Sequence, residues 1–282
     1  MIALCPNPYR DIDLEMTKQL TKMLSDEGLE SIVCPVFSEE NCEALPKDIE
    51  YYPLSCIEEK CSLAVVIGGD GTVLSVVRAL GGGDMPLLGV NLGTKGFMTA
   101  LEPEDFRLVV KAAKGEYFIS RRMMIDVRLI RNGEVIYTDR ALNDAVIHGY
   151  GDCVNIRAYC NGDKITGFSG DGIILATPTG STGYSMSAGG PIVEPDAENI
   201  ILSPICAHVM GARSFVLSPE RVVTVKTEKL ASRRAYLSVD GNWSIDLESG
   251  DELQVSKSPE YTLMANMGLK SFYETAYEKL TH

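Results

Sequence analysis

Short apolar runs alternate with amphipathic stretches through the first third of the chain. Four runs predict buried strands: Met1–Cys5, Ser31–Phe37, Ser62–Ile67 and Pro86–Asn91. Three stretches predict helices: Asp11 to Gly28 with Ile12, Met16, Leu20 and Leu24 on one face, Thr72 to Leu80, and Pro103 to Lys114. The acidic segment Ser38 to Lys60 is predicted to be a connection. This alternation is typical of a parallel sheet covered by helices.

From about Tyr117 onward the apolar positions recur at every second residue, which indicates strands. Asn132-Gly133 and Asn161-Gly162 each separate two such runs, and this is the strongest short-range signal for a β-hairpin. Further strands are predicted at Val222–Thr227, Ala235–Val239 and Glu252–Ser256, with Asp240-Gly241 in a turn. We therefore predict a Rossmann-like α/β domain over residues 1–116 and a β-rich, sandwich-like domain over residues 117–261.

Composition narrows the classes of function. The 282 residues carry a net charge of -13, which disfavours nucleic acid and anionic membranes as partners. A polyanionic ligand would need local help from backbone N–H groups at helix starts and from a divalent cation. The eight cysteines form no C-x-x-C pair, and no apolar run has the length of a membrane helix. We expect a soluble, cytoplasmic protein with reduced thiols.

The sequence Gly68-Gly69-Asp70-Gly71-Thr72 lies between a predicted strand and a predicted helix. Glycines allow the backbone to approach a phosphate closely, and a helix N-terminus supplies unpaired N–H donors. A carboxylate among these donors would repel the phosphates unless it binds a cation or accepts a proton from an attacking hydroxyl. Asp70 therefore suggests a kinase with an alcohol as acceptor. The alternative is that Asp70 only caps the helix.

A second block is rich in hydroxyl groups and glycine. It runs through Asp171-Gly172, an apolar strand, and then the sequence TPTGSTGYSMSAGGP from Thr177 to Pro191. Neutral donors and acceptors beside one tyrosine suit the base, ribose and phosphates of a nucleotide. The alternative is a solvated loop.

Taken together, these motifs resemble the NAD kinase family. The resemblance rests on blocks in the family's order: GGDGT at Gly68, NLGTKGFMT at Asn91, RRMM at Arg121, NDAVIH at Asn143, the block from Asp171 to Pro191, PICAH at Pro204 and SVDG at Ser238. GGDG is shared with lipid kinases and phosphofructokinases, whereas TPTGSTGYS is highly specific.

The resemblance implies transfer of a phosphoryl group from ATP or polyphosphate to the adenosine ribose 2′-hydroxyl of NAD, giving NADP, with Mg²⁺ or Mn²⁺ required. It implies that Asp70 is the catalytic residue, orienting or deprotonating that hydroxyl. The substrate-binding residues that it implies are Gly68, Gly69, Gly71, Thr72, Asn143, Asp144, Asp171, Thr182, Gly183, Tyr184, Ser185, Ser187, Asp240 and Asn242. It assigns no residue as a metal ligand.

The resemblance also implies that residues 262–282 rejoin the first domain, and that the protein is a homodimer or homotetramer. Two other classes of function stay open at this point. One is a lipid or small-alcohol kinase that shares only GGDG, and the other is a nucleotide sensor without catalytic activity. The intact Asp70 favours an enzyme over a sensor.

Overall fold

The computed structural model describes residues 1–36, 45–93, 96–209, 211–228, 230, 233–242 and 245–281. Phe37, the predicted end of the second strand, and residues 38–44 of the predicted connection lie outside this set. The chain divides into two compact units, Met1–Arg121 with Thr262–His282, and Arg122–Tyr261. The domain boundaries drawn from the sequence at residues 116 and 261 stay a prediction.

The first unit contains parallel strands and helices. Its strands are β1 (Ile2–Pro6), β2 (Ser31–Val33), β3 (Leu63–Gly68) and β4 (Pro86–Asn91). Its helices, numbered in chain order through both units, are α1 (Glu15–Asp26), α2 (Ile57–Lys60), α3 (Asp70–Leu80), α4 (Val109–Ala113) and α6 (Phe272–Leu280). Single 3-10 turns precede three of the helices, at Ile12–Leu14, Leu54–Cys56 and Pro103–Leu108.

The strands of this unit lie in the order β2-β1-β3-β4, all parallel. Beyond β4, Leu263 and Met264 continue the parallel pairing opposite Pro86 and Leu87. Every residue of β1 and β3 is buried, as their unbroken apolar runs require in a sheet covered on both faces. Gly68 pairs with Asn91, so the loops that follow β3 and β4 begin side by side. The predicted α/β fold is confirmed.

The first helix begins later than predicted, at Glu15, and Ile12 is 63% exposed. Asp13 and Leu14 have left-handed backbone angles, φ 52° and 53°, which end the 3-10 turn and turn Leu14 into the core. The buried Asp11 carboxylate accepts the backbone N–H groups of Met16 and Thr17 and the Thr17 hydroxyl. The apolar residues Ile12, Met16, Leu20 and Leu24 are spaced by four, and this spacing gives no sign that the helix begins only at Glu15.

The second unit is predominantly β, and the first and the last of its strands begin or end within residues of the first unit. Its strands are β5 (Phe118–Arg131), β6 (Glu134–Ala141), β7 (Asp144–Gly149), β8 (Val154–Cys160), β9 (Asp163–Gly170), β10 (Gly172–Ala176), β11 (Ile200–Ile205), β12 (Phe215–Leu217), β13 (Val223–Glu228), β14 (Ala235–Val239), β15 (Ile245–Leu247) and β16 (Glu252–Asn266). Both predicted hairpins are confirmed, β5 with β6 and β8 with β9. Their turns place Asn132, Gly133, Asn161 and Gly162 at positive φ.

Six strands of this unit form an antiparallel sheet in the order β12-β11-β10-β7-β14-β15. Alternate residues on one face of the sheet, such as Ala145, Ile147 and Leu237, join a hydrophobic core with residues of β5, β8 and β13. The opposite face carries Asp144 and His148. The predicted sandwich-like β architecture is confirmed.

The sequence underestimates β16, which was expected to end at Ser256 and instead continues to Asn266. Pro259 lies inside it, and a proline within an apolar run argues against a strand. The helix α6 and the short strand β12 were not predicted. None of the helices in the described part of the chain is long and apolar enough to cross a membrane.

Candidate active site

The glycine loop is a tight junction between β3 and α3. Gly68 ends the strand, Gly69 is the N-cap residue, and Asp70 is the first residue of the helix. A Cβ on Gly68 would lie 2.3 Å from the Thr72 Oγ1, so only glycine fits there. That hydroxyl is fixed in turn by Asn7, whose Nδ2 donates to it at 3.1 Å. The residues after the strand are thereby held in one conformation.

The carboxylate of Asp70 points to a neighbouring loop and does not cap its own helix. The backbone N–H of Phe97 donates to its Oδ2 at 2.8 Å, and that of Met98 to its Oδ1 at 3.1 Å. The interpretation of Asp70 as a helix cap is therefore wrong. The N-cap residue of α3 is Gly69, and no side-chain hydrogen bond caps this end of the helix. Burial raises the pKa of Asp70, while the two N–H donors and Lys279 act in the opposite direction.

Two residues near Asp70 were not singled out from the sequence. A Cβ on Gly96 would lie 3.0 Å from Asp70 Oδ1 and 2.3 Å from Thr99 Oγ1, so Gly96 allows the loop to approach the carboxylate. The buried Thr99 Oγ1 has no hydrogen-bond partner among the described residues. Both residues lie within NLGTKGFMT. Gly96 comes directly before the donor residues Phe97 and Met98, and a glycine at this place could have indicated a close approach of the backbone.

In the second unit, Asp240 organises the turn that carries Asn143 and Asp144. Its Oδ2 accepts the N–H of Leu142 at 2.8 Å, and its Oδ1 accepts those of Asn143 and Asp144 at 2.8 and 3.0 Å. The N–H of Asp240 returns a bond to the carbonyl of Asp144. The buried Asn143 Oδ1 has no partner among the described residues. Asp240 therefore holds the turn, and Asn143 retains a free acceptor.

Asp144 is a buried carboxyl group with a second carboxylate nearby. Its side chain is 6% exposed. Burial, and then the charge of Asp240, raise the pKa of Asp144 to about 7. A carboxyl group with this pKa can accept or release a proton near neutral pH.

The block from Thr177 to Ser187 is largely buried, so the interpretation as a solvated loop is wrong. It forms a 3-10 turn at Thr179–Thr182 and one helical turn, α5 (Tyr184–Ser187). Thr177 Oγ1 donates to the carbonyl of Leu142 at 2.5 Å, and Ser181 Oγ donates to the carbonyl of Val193 at 3.1 Å. These hydroxyl groups stabilise the block itself.

Glycine at position 180 lets this block approach the Asn143 turn. A Cβ on Gly180 would lie 2.2 Å from the carbonyl oxygen of Asn143. The structure therefore brings the block and the asparagine-acid pair into direct contact within this unit. Gly183 lies beside the same residue, since its Cβ position is 3.8 Å from Asn143 Nδ2.

The predicted binding residues of the block differ in what they leave exposed. The Ser185 hydroxyl is buried and bonds to the Ser203 hydroxyl at 3.0 Å, and Thr182 Oγ1 donates to the carbonyl of Thr179 at 3.3 Å. Tyr184 is 41% exposed, and Ser187 is also exposed. Tyr184 and Ser187 are thus the side chains of the block that a ligand can reach most directly.

The hydroxyl group of Tyr184 has a raised pKa. Burial raises the pKa of Tyr184, followed by the influence of Tyr236, Cys206, Asp171 and Asp144. Tyr236 was not found from the sequence, where it resembles any residue of an alternating strand.

Asp171 and Asn242 complete the predicted set. The thiol of Cys206 bonds to Asp171, which raises the pKa of that thiol, and Cys153 Sγ lies 4.0 Å from Asp171 Oδ1. Asn242 is exposed, and its backbone closes the turn after Asp240 by an N–H bond to the carbonyl of Val239.

The described residues include no group of three or more His, Cys, Asp or Glu side chains that could hold a metal ion.

Two family models match the chain. The model described as the ATP-NAD kinase N-terminal domain matches residues 2–117, and the one described as the ATP-NAD kinase C-terminal domain matches residues 142–267. An alcohol or lipid kinase that shares only GGDG would not match across both segments, so that alternative is wrong.

Curated relatives match along nearly the whole chain. An NAD kinase from Caldanaerobacter subterraneus subsp. tengcongensis is 35% identical, with 99% of this chain and 98% of the relative covered. An NAD kinase from Thermoanaerobacter sp. strain X514 is 36% identical, with 99% and 98% covered.

Solved structures share the fold. Yeast NADH kinase complexed with NADH has a TM-score of 0.83 at 26% identity, covering 99% of this chain and 86% of the yeast chain. An NAD kinase from Archaeoglobus fulgidus in complex with ATP has a TM-score of 0.76 at 26% identity, covering 99% and 98%. With both domains matched and relatives at this identity over their full length, the chain belongs to the NAD kinase family of phosphotransferases.

Proposed function

We propose that the protein transfers the γ-phosphoryl group of ATP to the adenosine ribose 2′-hydroxyl of NAD, with Asp70 as the residue that accepts the hydroxyl proton. The observation that carries this role is the partly buried Asp70 carboxylate at the start of α3, with each oxygen held by one backbone N–H donor. Each oxygen keeps capacity for a further hydrogen bond, so the carboxylate can receive an alcohol. Its raised pKa favours proton acceptance.

In this reaction the 2′-oxygen forms a bond to the γ-phosphorus while the bond from that phosphorus to the bridging oxygen breaks. The hydroxyl proton passes to Asp70, and ADP leaves. The N–H groups at the start of α3 and the close backbone at Gly68, Gly69 and Gly71 suit the phosphate oxygens. They act against the net charge of -13, which disfavours a polyanion at long range.

We infer that a divalent cation, Mg²⁺ or Mn²⁺, is brought in with the phosphoryl donor. Mg²⁺ retains several waters and is commonly held by one or two carboxylates together with substrate phosphates. Bound in this way, it would neutralise charge that develops on the transferred group.

The second unit supplies the groups proposed to recognise NAD. Asn143 offers its free Oδ1, Asp144 follows it in the chain, and Tyr184 follows Gly183, whose Cβ position lies 3.8 Å from Asn143 Nδ2. Asn143 and Asp144 suit the hydroxyl groups and base of the nucleoside, and Tyr184 suits stacking on a ring. Asp171, Thr182, Gly183, Ser187 and Asn242 remain proposed contributors, and Ser185 and Asp240 contribute through the positions of their neighbours.

The test is direct. Purified protein incubated with NAD, ATP and Mg²⁺ should form NADP, which an NADP-specific dehydrogenase detects. Asp70→Asn should lower kcat at least about 100-fold, the usual contribution of a general base, while NAD binding is largely kept. Turnover at the wild-type rate in that variant would remove the role of Asp70, and NAD binding without turnover in the wild type would support a sensor.

The same assay separates the finer choices. Polyphosphate in place of ATP tests the donor, and NADH in place of NAD tests the acceptor. Omission of the divalent cation, with chelator present, should abolish turnover. A homodimer or homotetramer is proposed from the family resemblance, and light scattering after size-exclusion chromatography measures it. The cytoplasmic location expected from the sequence stays a prediction.

A further inference from the structure

The C-terminal helix α6 carries a lysine in an unusual environment. Lys279 lies in the last turn of Phe272–Leu280, where a lysine commonly complements the helix dipole from an exposed position. Its side chain is only 13% exposed, whereas that of Lys270, just before the same helix, is 49% exposed. Lysine is rarely buried to this degree unless it is paired. The helix dipole alone does not account for this burial.

The ammonium group of Lys279 binds the loop that follows β4. It donates to the carbonyl of Gly96 and lies 3.5 Å from Glu102 Oε1. The other oxygen of Glu102 accepts Asn91 Nδ2 at 2.9 Å. One ion pair therefore ties both sides of the loop, at Asn91 and at Gly96, to α6.

The carbonyl of Gly96 and the N–H of Phe97 belong to a single planar peptide group. In a trans peptide these two bonds point in opposite directions. Lys279 holds the oxygen side of this plane, and Asp70 accepts the N–H side at 2.8 Å. The lysine thus fixes the direction of the donor and, by polarising the peptide, strengthens its bond to Asp70.

We propose that Lys279 is a positioning residue for phosphoryl transfer, which orients Asp70 through the Gly96–Phe97 peptide and supplies a cationic charge to the same site. This role rests on the proposed function of Asp70. It extends the active site to a helix that none of the sequence motifs includes.

Electrostatics support this geometry. Among the described residues, the charge of Lys279 acts on Asp70 and lowers its pKa against the larger effect of burial. Glu102 faces Lys279 from the segment after β4. Removal of the ammonium should therefore raise the pKa of Asp70. As the pH falls, the carboxylate would then be protonated, and so cease to act as a base, at a higher pH than in the wild type.

The experiment compares Lys279→Met, Lys279→Gln and Lys279→Arg with Lys270→Met as the matched control. Lys270 pairs with Glu278 on the exposed side of the same segment. Lys279→Met should lower kcat about 10- to 100-fold, the effect of misplacing a catalytic group by about 1 Å, with little change in the KM for NAD. Lys279→Gln should retain part of kcat through its neutral donor, and Lys279→Arg should recover most of it.

The pH profile gives a readout that a purely structural role would not move. In Lys279→Met the acid limb of kcat/KM should shift to higher pH, because a nearby opposite charge that favours the ionised carboxylate is lost. Lys279→Arg and Lys270→Met should keep the wild-type limb. Unchanged kcat and an unchanged acid limb in Lys279→Met would overturn the proposal, and if that variant does not fold, Lys279→Gln provides the same comparison.

A measurement without turnover separates this proposal from the function itself. The ¹³C carboxyl titration of Asp70, assigned by its loss in Asp70→Asn, should move to higher pH in Lys279→Met. That shift can be observed even if the wild-type protein forms no NADP, a result that would instead remove the proposed function. An identical Asp70 titration in both proteins would contradict the link to Lys279.

Discussion

Asp240 Oδ1 accepts the backbone N–H of Asn143 at 2.8 Å, across 97 positions of sequence. The same carboxylate also accepts the N–H groups of Leu142 and Asp144. A residue expected to contact the substrate thus has both oxygens engaged by the backbone of the turn that carries Asn143.

Replacement of Asp240 by asparagine should therefore weaken NAD binding indirectly. The amide nitrogen would face an N–H donor, and each hydrogen bond to a charged group contributes about 1.5–3 kcal/mol. We expect the Kd for NAD to rise on the order of 10-fold, with a lower free energy of unfolding. Calorimetric titration with NAD and urea denaturation measure the two effects.

Asp246→Asn provides the control for this change. Asp246 is a largely exposed carboxylate paired with Arg234. Its replacement should leave both quantities close to wild type. Equal NAD affinity and stability in wild type and Asp240→Asn would show that the turn does not depend on this carboxylate.

Asp144 should make the protein less stable as the pH rises. Its pKa is raised to about 7 in the folded state, above the ordinary value of 3.8, so the folded protein binds more protons than the unfolded chain between about pH 4 and 7. Its contribution is most favourable below pH 4 and is lost progressively up to about pH 7.

Asp144→Asn isolates this effect, because other titrating groups are common to both proteins. The free energy of unfolding, from urea denaturation at pH 5, 6, 7 and 8, should decline less steeply in the variant, which should be the more stable protein at pH 8. Parallel curves for the two proteins would contradict the raised pKa.

Substitutions at Gly68 and Gly71 should distinguish an effect on folding from an effect on ligand binding. Gly68→Ala would bring a Cβ to 2.3 Å from Thr72 Oγ1, so we expect a large loss of stability. Gly71 has no atom within 4 Å of its Cβ position and lies in α3, where alanine is favoured over glycine by up to about 1 kcal/mol.

Gly71→Ala should accordingly fold at least as well as wild type but show a raised KM for ATP, because the added methyl group obstructs the approach of phosphate. Thermal denaturation and steady-state kinetics test this pair. A stable Gly71→Ala variant with wild-type kinetics would exclude a close phosphate at this position.

Ser185 and Tyr184, neighbours in α5, should have opposite effects. Ser185→Ala leaves the buried Ser203 hydroxyl without its partner, which costs about 1–3 kcal/mol of stability. Tyr184→Ala removes a side chain that is 41% exposed and should instead raise the KM for NAD with little change in stability. If Ser185→Ala instead raised the KM for NAD and Tyr184→Ala lowered the stability, the roles given to the two residues would be wrong.

Local sequence patterns predicted most of the fold. Asn132-Gly133 and Asn161-Gly162 predicted hairpins because a two-residue hairpin turn requires positive φ at both residues, and asparagine and glycine adopt it readily. Both residues of each pair have positive φ in the structure. The start of α1 was missed because the apolar period passes through Asp13 and Leu14, whose left-handed conformation depends on the side-chain bonds of Asp11.

The residues proposed for the site were named from sequence motifs, but the hydrogen-bond partners of their side chains were not predicted. Asp70 was identified from the glycine loop, but its bonds to Phe97 and Met98 arise from the pairing of β3 with β4, which no local pattern encodes. Asp240 and Ser185 were expected to bind substrate because motif resemblance does not reveal where an oxygen points. Lys279 lies outside every motif, and only the packing of α6 brings it to the loop.

The strand β16 has a consequence for biosynthesis. Its residues Leu263 and Met264 pair with β4, yet a ribosome adds them only after the whole of residues 122–261. Until then, the nascent first unit exposes the edge of β4 at Pro86 and Leu87, a template for wrong pairing between chains. Stalled or truncated chains that lack residues 262–281 should therefore require chaperones far more than the finished protein, even though they contain the complete glycine loop.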